Sequence, residues 1–262
     1  MPRTAALGYH EVTDNVFDSG FQRPLAMRYK HTTAAFRAHL ETIAAGRRAP
    51  ELVTGIDFGR PSTHLLLTFD DGGKSALYVS DALCKRGWRA HFLITTGLIG
   101  QRTFLDKQGI RLLHQAGHIV GSHSHTHPDI FCDQPLADMM WQWQTSCDIL
   151  SQLLGEACTV ASVPGGDISP LVLRSAHACG IRYLFTSEPW LSPRKVGDCW
   201  ILGRVAVKAD TPIARVRAYA SLRGWRRALI ERRASVAARR LLAPLYRVYV
   251  RQRTAALSHT NE

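Results

Sequence analysis

The chain has 262 residues, of which 45% are hydrophobic, enough for one large domain with a substantial core. No uninterrupted apolar run of about 18 residues occurs, and the N-terminal MPRTAALGYHEVTD holds no long apolar segment, so we expect neither a membrane-spanning helix nor a signal peptide. The six cysteines form no Cys-x-x-Cys pair, which argues against a cysteine zinc site and suits a reducing compartment. We therefore expect a cytoplasmic protein.

Strands and helices alternate along most of the chain. AALGYHEV is predicted to form a buried strand, HTTAAFRAHLETIAAG a helix and HLLLTF the next strand. Four more strands, within WRAHFLITTGLIG, HIVGSHSHTHP, TVASVPGG and IRYLFTS, alternate with helical segments, and WILGRVAV is predicted as the last strand. At least five such repeats without a dinucleotide-type glycine loop favour an α/β barrel over a doubly wound sheet, with its chemistry at the C-terminal ends of the strands.

Two groups of potential metal ligands follow strands of this predicted barrel. Asp70 and Asp71 come directly after LLLTF, and the loop GSHSHTHP contains His123, His125 and His127. A His-x3-His spacing lets two imidazoles bind one ion, and either aspartate can add an oxygen, which leaves positions open for water and substrate. A cation would also relieve the repulsion between the adjacent carboxylates. We therefore predict a catalytic metal site that suits zinc best, with cobalt or nickel as alternatives.

The sequence resembles the polysaccharide deacetylases, carbohydrate esterase family 4, over roughly residues 6–208. TFDDG at residues 68–72 and HSHTHP at residues 123–128 resemble the first two motifs of that family, and YHEV and AHFLITTGLIG are also typical of it. The resemblance implies a distorted (β/α) barrel and metal-dependent removal of N-acetyl groups from sugars. It implies Asp71, His123 and His127 as metal ligands, and Asp70 as the general base that takes a proton from metal-bound water.

The third and last motifs depart from the family pattern. Where the family commonly has Arg-Pro-Pro-aromatic-Gly, residues 162–166 read Ser-Val-Pro-Gly-Gly, so Gly165 keeps a backbone N–H for the oxyanion while the arginine is lost. Where the family has Leu-x-His, this chain ends the motif with Arg204, which cannot act as a general acid.

Two hypotheses address these departures. Arg204 either takes the role of the missing arginine, beside the catalytic aspartate, or stabilises negative charge on the oxyanion or on a substrate phosphate. The acid is then His125, in the metal loop, or His91, although a histidine within a strand is more often packed and hydrogen-bonded.

TSEPW, at residues 186–190, corresponds to the fourth motif, which supplies an aspartate and a tryptophan near the acetyl pocket. Glu188 and Trp190 are the matching residues, and we predict that they bind substrate together with His125. Trp190 would stack on a sugar face, the alternative being that it anchors its loop.

The basicity of the chain lies in its C-terminal tail. Residues 213–262 carry 12 arginines, no lysine and two acids, a net charge of +10 out of the total of +12. Apolar and arginine positions both repeat every seven residues, at Leu222, Leu229 and Val236 and at Arg226, Arg233 and Arg240. This pattern predicts a basic amphipathic helix, interrupted at Pro244, that either packs on the barrel or binds an anionic membrane surface. Nucleic-acid binding is not expected, because no recognition motif accompanies the charge.

We therefore divide the chain into a deacetylase-like (β/α) barrel, residues 1–212, and an arginine-rich helical tail, residues 213–262. The expected function is metal-dependent deacetylation of an N-acetylated sugar during exopolysaccharide assembly, on the cytoplasmic side and at the periphery of the inner membrane. The alternatives are a catalytically impaired carbohydrate-binding relative and a membrane-surface adaptor that acts through the tail.

Overall fold

The computed structural model describes residues 2–241 as eleven strands, seven α-helices and short 3-10 turns. The strands are β1 (Arg3–Tyr9), β2 (Glu11–Val12), β3 (Lys30–His31), β4 (Thr63–Phe69), β5 (His91–Ile94), β6 (Ile119–Ser122), β7 (Val160–Ser162), β8 (Tyr183–Phe185), β9 (Arg194–Val196), β10 (Cys199–Leu202) and β11 (Arg204–Ala206). The helices are α1 (Thr33–Ala44), α2 (Ala76–Cys84), α3 (Lys107–Gln115), α4 (Leu136–Leu154), α5 (Pro170–Ala178), α6 (Ile213–Ala220) and α7 (Trp225–Leu241).

Nine of the strands form one curled sheet in the order β11-β1-β4-β5-β6-β7-β8-β10-β9. Neighbouring strands run parallel, except that β9 pairs antiparallel with β10. Helices follow the parallel strands, as right-handed crossover connections require. The predicted (β/α) barrel is confirmed, and the C-terminal ends of β4, β6, β7 and β8 share one rim.

WILGRVAV forms two strands rather than the single last strand that its sequence predicts. β10 pairs with β8, whereas β11 pairs with β1, and Gly203 lies between them. A Cβ atom at Gly203 would lie 2.3 Å from the carbonyl oxygen of Trp190 and 2.5 Å from that of Glu188, so a larger residue does not fit this turn. The break lets the chain cross from one side of the curled sheet to the other and brings Arg204 beside β1.

Alternate side chains of the strands pack on opposite faces of the sheet. One core cluster lies inside the barrel and includes Ala6, Leu66, Leu93, Phe185 and Leu202. A second cluster contacts α1, α2, α3 and α6, and a third contacts α4 and α5. Strands buried on both faces are typical of parallel barrels, and they hold the residues that follow them in fixed positions.

α6 and the first turns of α7 pack against the barrel. Val216, Tyr219, Trp225 and Ala228 are buried in the same cluster as α1. The predicted division at residue 212 stays a prediction, and the helices on its C-terminal side share the core of the barrel. The rest of the predicted tail, from Pro244 onward, lies outside the described residues. None of the helices between residues 2 and 241 has the length and apolar character that a bilayer crossing requires.

Candidate active site

The two adjacent aspartates lie where β4 ends at the barrel rim. Asp70 still belongs to the sheet, because its N–H donates to the carbonyl oxygen of Tyr9 at 3.0 Å. Asp71 has a φ of 76°, in the left-handed region that non-glycine residues seldom adopt. This change of backbone direction turns the second carboxylate away from the strand, toward the loop that follows β6. Strained backbone of this kind is common at functional sites.

The histidine loop is shaped by one glutamine from α4. The Gln142 side-chain oxygen accepts hydrogen bonds from the N–H groups of His125, at 2.9 Å, and Thr126, at 2.8 Å. The backbone of His127 has a φ of 53°, again in the left-handed region. The loop therefore turns between His123 and His127, as their spacing requires for binding one ion, and Gln142 is a contributor that the sequence pattern did not reveal.

Asp71, His123 and His127 converge on one point. The His123 and His127 Nε2 atoms lie 3.4 and 3.7 Å from Asp71 Oδ1, and the three potential ligand atoms all lie within 4.8 Å of one another. Asp71 Oδ1 is buried and has no hydrogen-bond partner among the described residues. Two imidazole nitrogens and one carboxylate oxygen at these separations fit a divalent metal ion.

The titration behaviour of the three groups also suits a cation. Burial raises the pKa of Asp71 well above its usual range, and the neighbouring Asp70 and Glu11 carboxylates raise it further. Burial lowers the pKa values of His123 and His127, which favours the neutral imidazole that binds metals. A positive ion bound at this point would supply the charge that keeps Asp71 ionised.

Asp70 is held by Arg204, and this contact agrees with the first of the two hypotheses for that arginine. Arg204 donates two hydrogen bonds of 2.8 Å to the two carboxylate oxygens of Asp70. It also donates to the carbonyl oxygen of Thr186 at 2.9 Å and to the Thr68 hydroxyl at 2.9 Å. Burial alone would raise the pKa of Asp70, but the charge and hydrogen bonds of Arg204, together with the smaller effects of His123 and His10, outweigh burial and hold that pKa well below its usual range. Asp70 is therefore ionised at neutral pH.

Ser162, which stands where the family has arginine, connects this pair to the predicted metal ligands. Its hydroxyl donates to Asp70 Oδ1 at 3.0 Å and lies 2.6 Å from Nδ1 of His123. Because the Ser162 hydroxyl donates its own proton to Asp70, it is the acceptor in its contact with His123. Nδ1 of His123 therefore carries the proton of the imidazole ring. The His123 Nε2 lone pair is then directed toward Asp71, as a metal ligand requires.

These groups line one cavity of about 720 Å³. Its catalytic end holds Asp70, Asp71, His123, His127, Gly165 and Arg204. Gly165 has a φ of 68° in the turn that follows β7, so the backbone of the altered third motif faces the same space as the aspartates.

The other residues predicted to bind substrate or act as the acid do not line this cavity in the described part of the chain. His125 Nδ1 lies 2.9 Å from the Thr96 hydroxyl, and Glu188 pairs with Arg232 at 3.4 Å. The ring of Trp190 packs beneath Arg194, whose guanidinium carbon lies 4.0 Å from the ring centroid.

His91 also lies away from the cavity, inside the barrel. Its Nε2 accepts from the Val53 N–H at 2.9 Å and its Nδ1 donates to the Leu67 carbonyl oxygen at 2.8 Å. With both nitrogens occupied by the backbone, His91 matches the structural alternative rather than a general acid.

His10 is a cavity residue that the sequence analysis missed. It follows β1, lines the cavity beside Asp70, and stacks on Tyr29 with ring centroids 4.5 Å apart. Its Nδ1 atom is buried without a hydrogen-bond partner in the described chain, and burial lowers the pKa of its imidazole to about 4. The motif YHEV contained this histidine, but only the fold brings it to the aspartates.

A comparison with known protein families matches the part of the chain that forms this site. The sequence model of the polysaccharide deacetylase family matches residues 59–184, a segment that contains both aspartates, the histidine loop and the altered third motif. This segment belongs to the polysaccharide deacetylase family. Members of that family are hydrolases that act on the amide bonds of N-acetylated sugars. No curated protein sequence matches the chain.

Solved structures of polysaccharide deacetylases share the fold of this chain over most of its length. IcaB from Ammonifex degensii superimposes with a TM-score of 0.69 and 20% identity, covering 83% of this chain and 97% of that one. The deacetylase PplD from Streptococcus pyogenes, in complex with acetate, gives a TM-score of 0.66 and 16% identity, covering 82% and 96%. BC0361, a polysaccharide deacetylase from Bacillus cereus, gives 0.68 and 17%, covering 83% and 69%. At sequence identities of 16–20%, the similarity to these structures shows a shared fold and no more.

Proposed function

We propose that the protein is a metal-dependent hydrolase that removes N-acetyl groups from an N-acetylated sugar or polysaccharide intermediate. One observation carries the proposal. The Asp71, His123 and His127 ligand atoms lie within 4.8 Å of one another, beside the ion-paired Asp70, at the end of a cavity. The family match of residues 59–184 supports the same reaction class.

Asp71, His123 and His127 would hold the divalent ion, zinc being the best match and cobalt or nickel acceptable. When bound, such an ion supplies Lewis acidity that polarises an amide carbonyl and lowers the pKa of water. All the remaining chemistry belongs to side chains and backbone of the chain itself.

Asp70 acts as the general base. Its carboxylate is ionised and fixed by Arg204 and Ser162, so it accepts a proton from the attacking water without first losing one. The turn at Gly165 lines the same cavity, and its backbone N–H is the group we assign to the oxyanion.

His10 transfers the proton to the leaving amine. It is neutral at pH 7, because burial lowers the pKa of its imidazole to about 4. Its imidazole lines the cavity beside Asp70, so it can receive the proton that Asp70 has taken from water and pass it to the departing nitrogen. This role replaces the histidine of the Leu-x-His motif, whose position Arg204 occupies.

Acetate release from N-acetylglucosamine oligomers and from nucleotide- or lipid-linked N-acetylated sugars tests the proposal. The native protein with zinc or cobalt should release acetate, a chelator should abolish release, and Asp70→Asn should lower the rate about 10²–10⁴-fold. Asp57→Asn, an exposed aspartate outside the cavity, is the matched control. Retention of metal and sugar without acetate release from any substrate would overturn the proposal.

We also propose that the protein works on the cytoplasmic side, in exopolysaccharide assembly, with residues 213–262 at an anionic membrane surface. The net charge of +10 in this segment supports the proposal, as do the exposed Arg226, Arg233 and Ile230 on α7.

Sedimentation with vesicles tests the membrane contact. Binding should require anionic lipid, and Arg226→Gln/Arg233→Gln should weaken it by about 1 kcal/mol per arginine. The control pair Arg47→Gln/Arg111→Gln, also exposed, should bind as the native protein does. Equal binding to zwitterionic vesicles would contradict the proposal.

A further inference from the structure

The cavity extends from the aspartates to a second group of charged residues. Arg28, in the 3-10 turn Met27–Tyr29, and Lys208, just after β11, both line it. The two segments are joined by backbone, because the Ala209 N–H donates to the Arg28 carbonyl oxygen at 2.9 Å. The charge of Arg28 also acts on Lys208, so the two side chains lie near each other where they line the cavity.

Arg28 and Lys208 differ from the other cations around the cavity, because within residues 2–241 neither side chain makes an ion pair or donates a hydrogen bond, whereas each of the others does one or the other. The other cavity cations are occupied: Arg23 by Asp129, Lys30 by backbone carbonyls, Arg204 by Asp70, Arg215 by Glu231 and Arg232 by Asp167. An anion that reaches both side chains would therefore be attracted by two charges that no carboxylate occupies.

The charges around Lys208 have a net positive effect. Burial lowers the pKa of Lys208 most. Among the charges, Arg28 lowers this pKa by more than Asp210 raises it, and Arg232 lowers it by more than Glu231 raises it. Arg232 adds to the repulsion although it has carboxylate partners of its own. This end of the cavity is thus short of negative charge.

The distance from the catalytic end suits a small substituent on the sugar. His10, beside Asp70, stacks on Tyr29 with centroids 4.5 Å apart, and the Arg28 guanidinium carbon lies 5.8 Å from the Tyr29 centroid. One aromatic ring therefore separates the proposed proton carrier from the first free cation. A hexose with its acetamide at Asp70 can reach Arg28 through a group attached to the same ring or to the next one.

We propose that Arg28 and Lys208 bind an oxyanion carried by the substrate, so that the protein prefers an anionic N-acetylated sugar to a neutral one. The inference rests on the proposed deacetylase function. The oxyanion is a phosphate or a carboxylate, since a guanidinium and an ammonium bind either. A sugar phosphate and a uronic-acid-containing glycan are the two sources, and the experiment separates them.

Calorimetry on the full chain, freed of metal so that phosphate cannot bind to an ion, measures this site independently of turnover. The probes are N-acetylglucosamine, N-acetylglucosamine 1-phosphate, and a disaccharide of N-acetylglucosamine and glucuronic acid. At least one charged probe should bind about tenfold more tightly than the neutral sugar. The charged probe with the larger increase in affinity over the neutral sugar identifies the source of the oxyanion.

Substitutions test whether the higher affinity for a charged probe depends on Arg28 and Lys208. Arg28→Gln/Lys208→Gln should remove the preference for the charged probe, Arg28→Lys/Lys208→Arg should keep most of it, and Arg60→Gln/Lys85→Gln, outside the cavity, should leave it unchanged. Circular dichroism checks that each variant is folded. Equal affinity for charged and neutral probes, or a preference that survives the double glutamine variant, would overturn the inference.

Acetate release by the metal-loaded protein distinguishes failure of this inference from failure of the proposed function. Faster release from the charged sugars, with a loss in the double glutamine variant that is larger for charged than for neutral sugars, supports both. Release that is equal from charged and neutral sugars overturns the inference alone. No release from any sugar overturns the proposed function, and the calorimetric preference then decides whether Arg28 and Lys208 form an anion site.

Discussion

The cavity has a buried floor at the strand ends, which includes Asp70 and Arg204, and a rim formed by loops and α7, which includes Arg28 and Arg232. These two regions are built in different ways. On the floor, Asp70 and Arg204 are 5% and 3% exposed, and each is fixed by several hydrogen bonds from strand ends. On the rim, Arg28 is exposed and Arg232, from α7, reaches Asp167 and Glu188 by ion pairs. The difference indicates that the sheet fixes the groups of the proposed active site, whereas loops and the C-terminal helix line the cavity farther from these strand ends. Substitutions on the floor should therefore cost far more than those on the rim.

The largest effect is expected at Arg204. Arg204→Gln leaves Asp70 buried without its counterion, so acetate release should fall by about 10²-fold or more and the free energy of unfolding by about 3–5 kcal/mol. Arg204→Lys keeps the charge but loses the two paired hydrogen bonds, so its activity and stability should lie between those of the native protein and Arg204→Gln. Arg194→Gln, an exposed arginine over Trp190, is the control. Kinetics and urea unfolding measure both quantities, and full activity of Arg204→Gln would show that Asp70 does not depend on this pair.

Ser162→Ala should have the next largest effect. It removes the hydroxyl between His123 and Asp70, so the imidazole of His123 loses its orientation and the metal affinity should drop about 10–100-fold. Competition with a chromogenic chelator measures the affinity. Ser151→Ala, on α4 away from the cavity, should bind metal as the native protein does. An unchanged affinity in Ser162→Ala would show that the backbone alone orients His123.

His91 should make the barrel sensitive to acid. Burial lowers the pKa of His91 to about 4, below the value of about 6.5 in the unfolded chain. The unfolded state therefore binds more protons between these values, and the stability is complete above pH 6.5 and is lost as the pH falls toward 4. At pH 5 this single group should cost about 2 kcal/mol relative to neutral pH.

Urea unfolding of His91→Gln tests the assignment. The variant should be less stable at pH 7 but should lose about 2 kcal/mol less than the native protein between pH 7 and pH 5. The same slope in both proteins would place the acid sensitivity in other groups.

The smallest effect is expected at the rim. Arg232→Gln removes ion pairs to Asp167 and Glu188 that remain partly accessible to solvent, so the free energy of unfolding should fall by about 1 kcal/mol or less. Urea unfolding, with Arg194→Gln as the control, measures it. A loss as large as that of Arg204→Gln would mean that α7 belongs to the catalytic floor.

The floor was the part that the sequence could predict. Asp70, Asp71, His123 and His127 follow strands within short motifs, and parallel strands bring their ends together whatever the rest of the chain does. The relation of Arg204 to Asp70 was one of two hypotheses for that residue, since 134 positions separate the two and only the pairing of β11 with β1 joins them.

The rim was less accessible to sequence reasoning. Trp190 and Glu188 were matched to a motif by position, but their side chains turn to Arg194 and Arg232 rather than into the cavity. His10 and Arg28 reach the cavity through loops, and loop paths depend on tertiary contacts that no local pattern encodes. The division of WILGRVAV had a local sign, Gly203, but a glycine within an apolar run also fits a continuous strand or a bulge.

The turn at Gly203 has a consequence for the order in which the protein matures. β1 is synthesised near the start of the chain, yet Ala6 of β1 pairs with Arg204 of β11, which leaves the ribosome near the end. Until then one edge of β1 is open and Asp70 has no counterion, so the nascent barrel carries both an unpaired strand edge and an unbalanced charge. The pairing of β11 with β1 and the formation of the Asp70–Arg204 ion pair are therefore one and the same late event. A chain interrupted before residue 204 would lack both the strand that pairs with this edge of β1 and the counterion of Asp70.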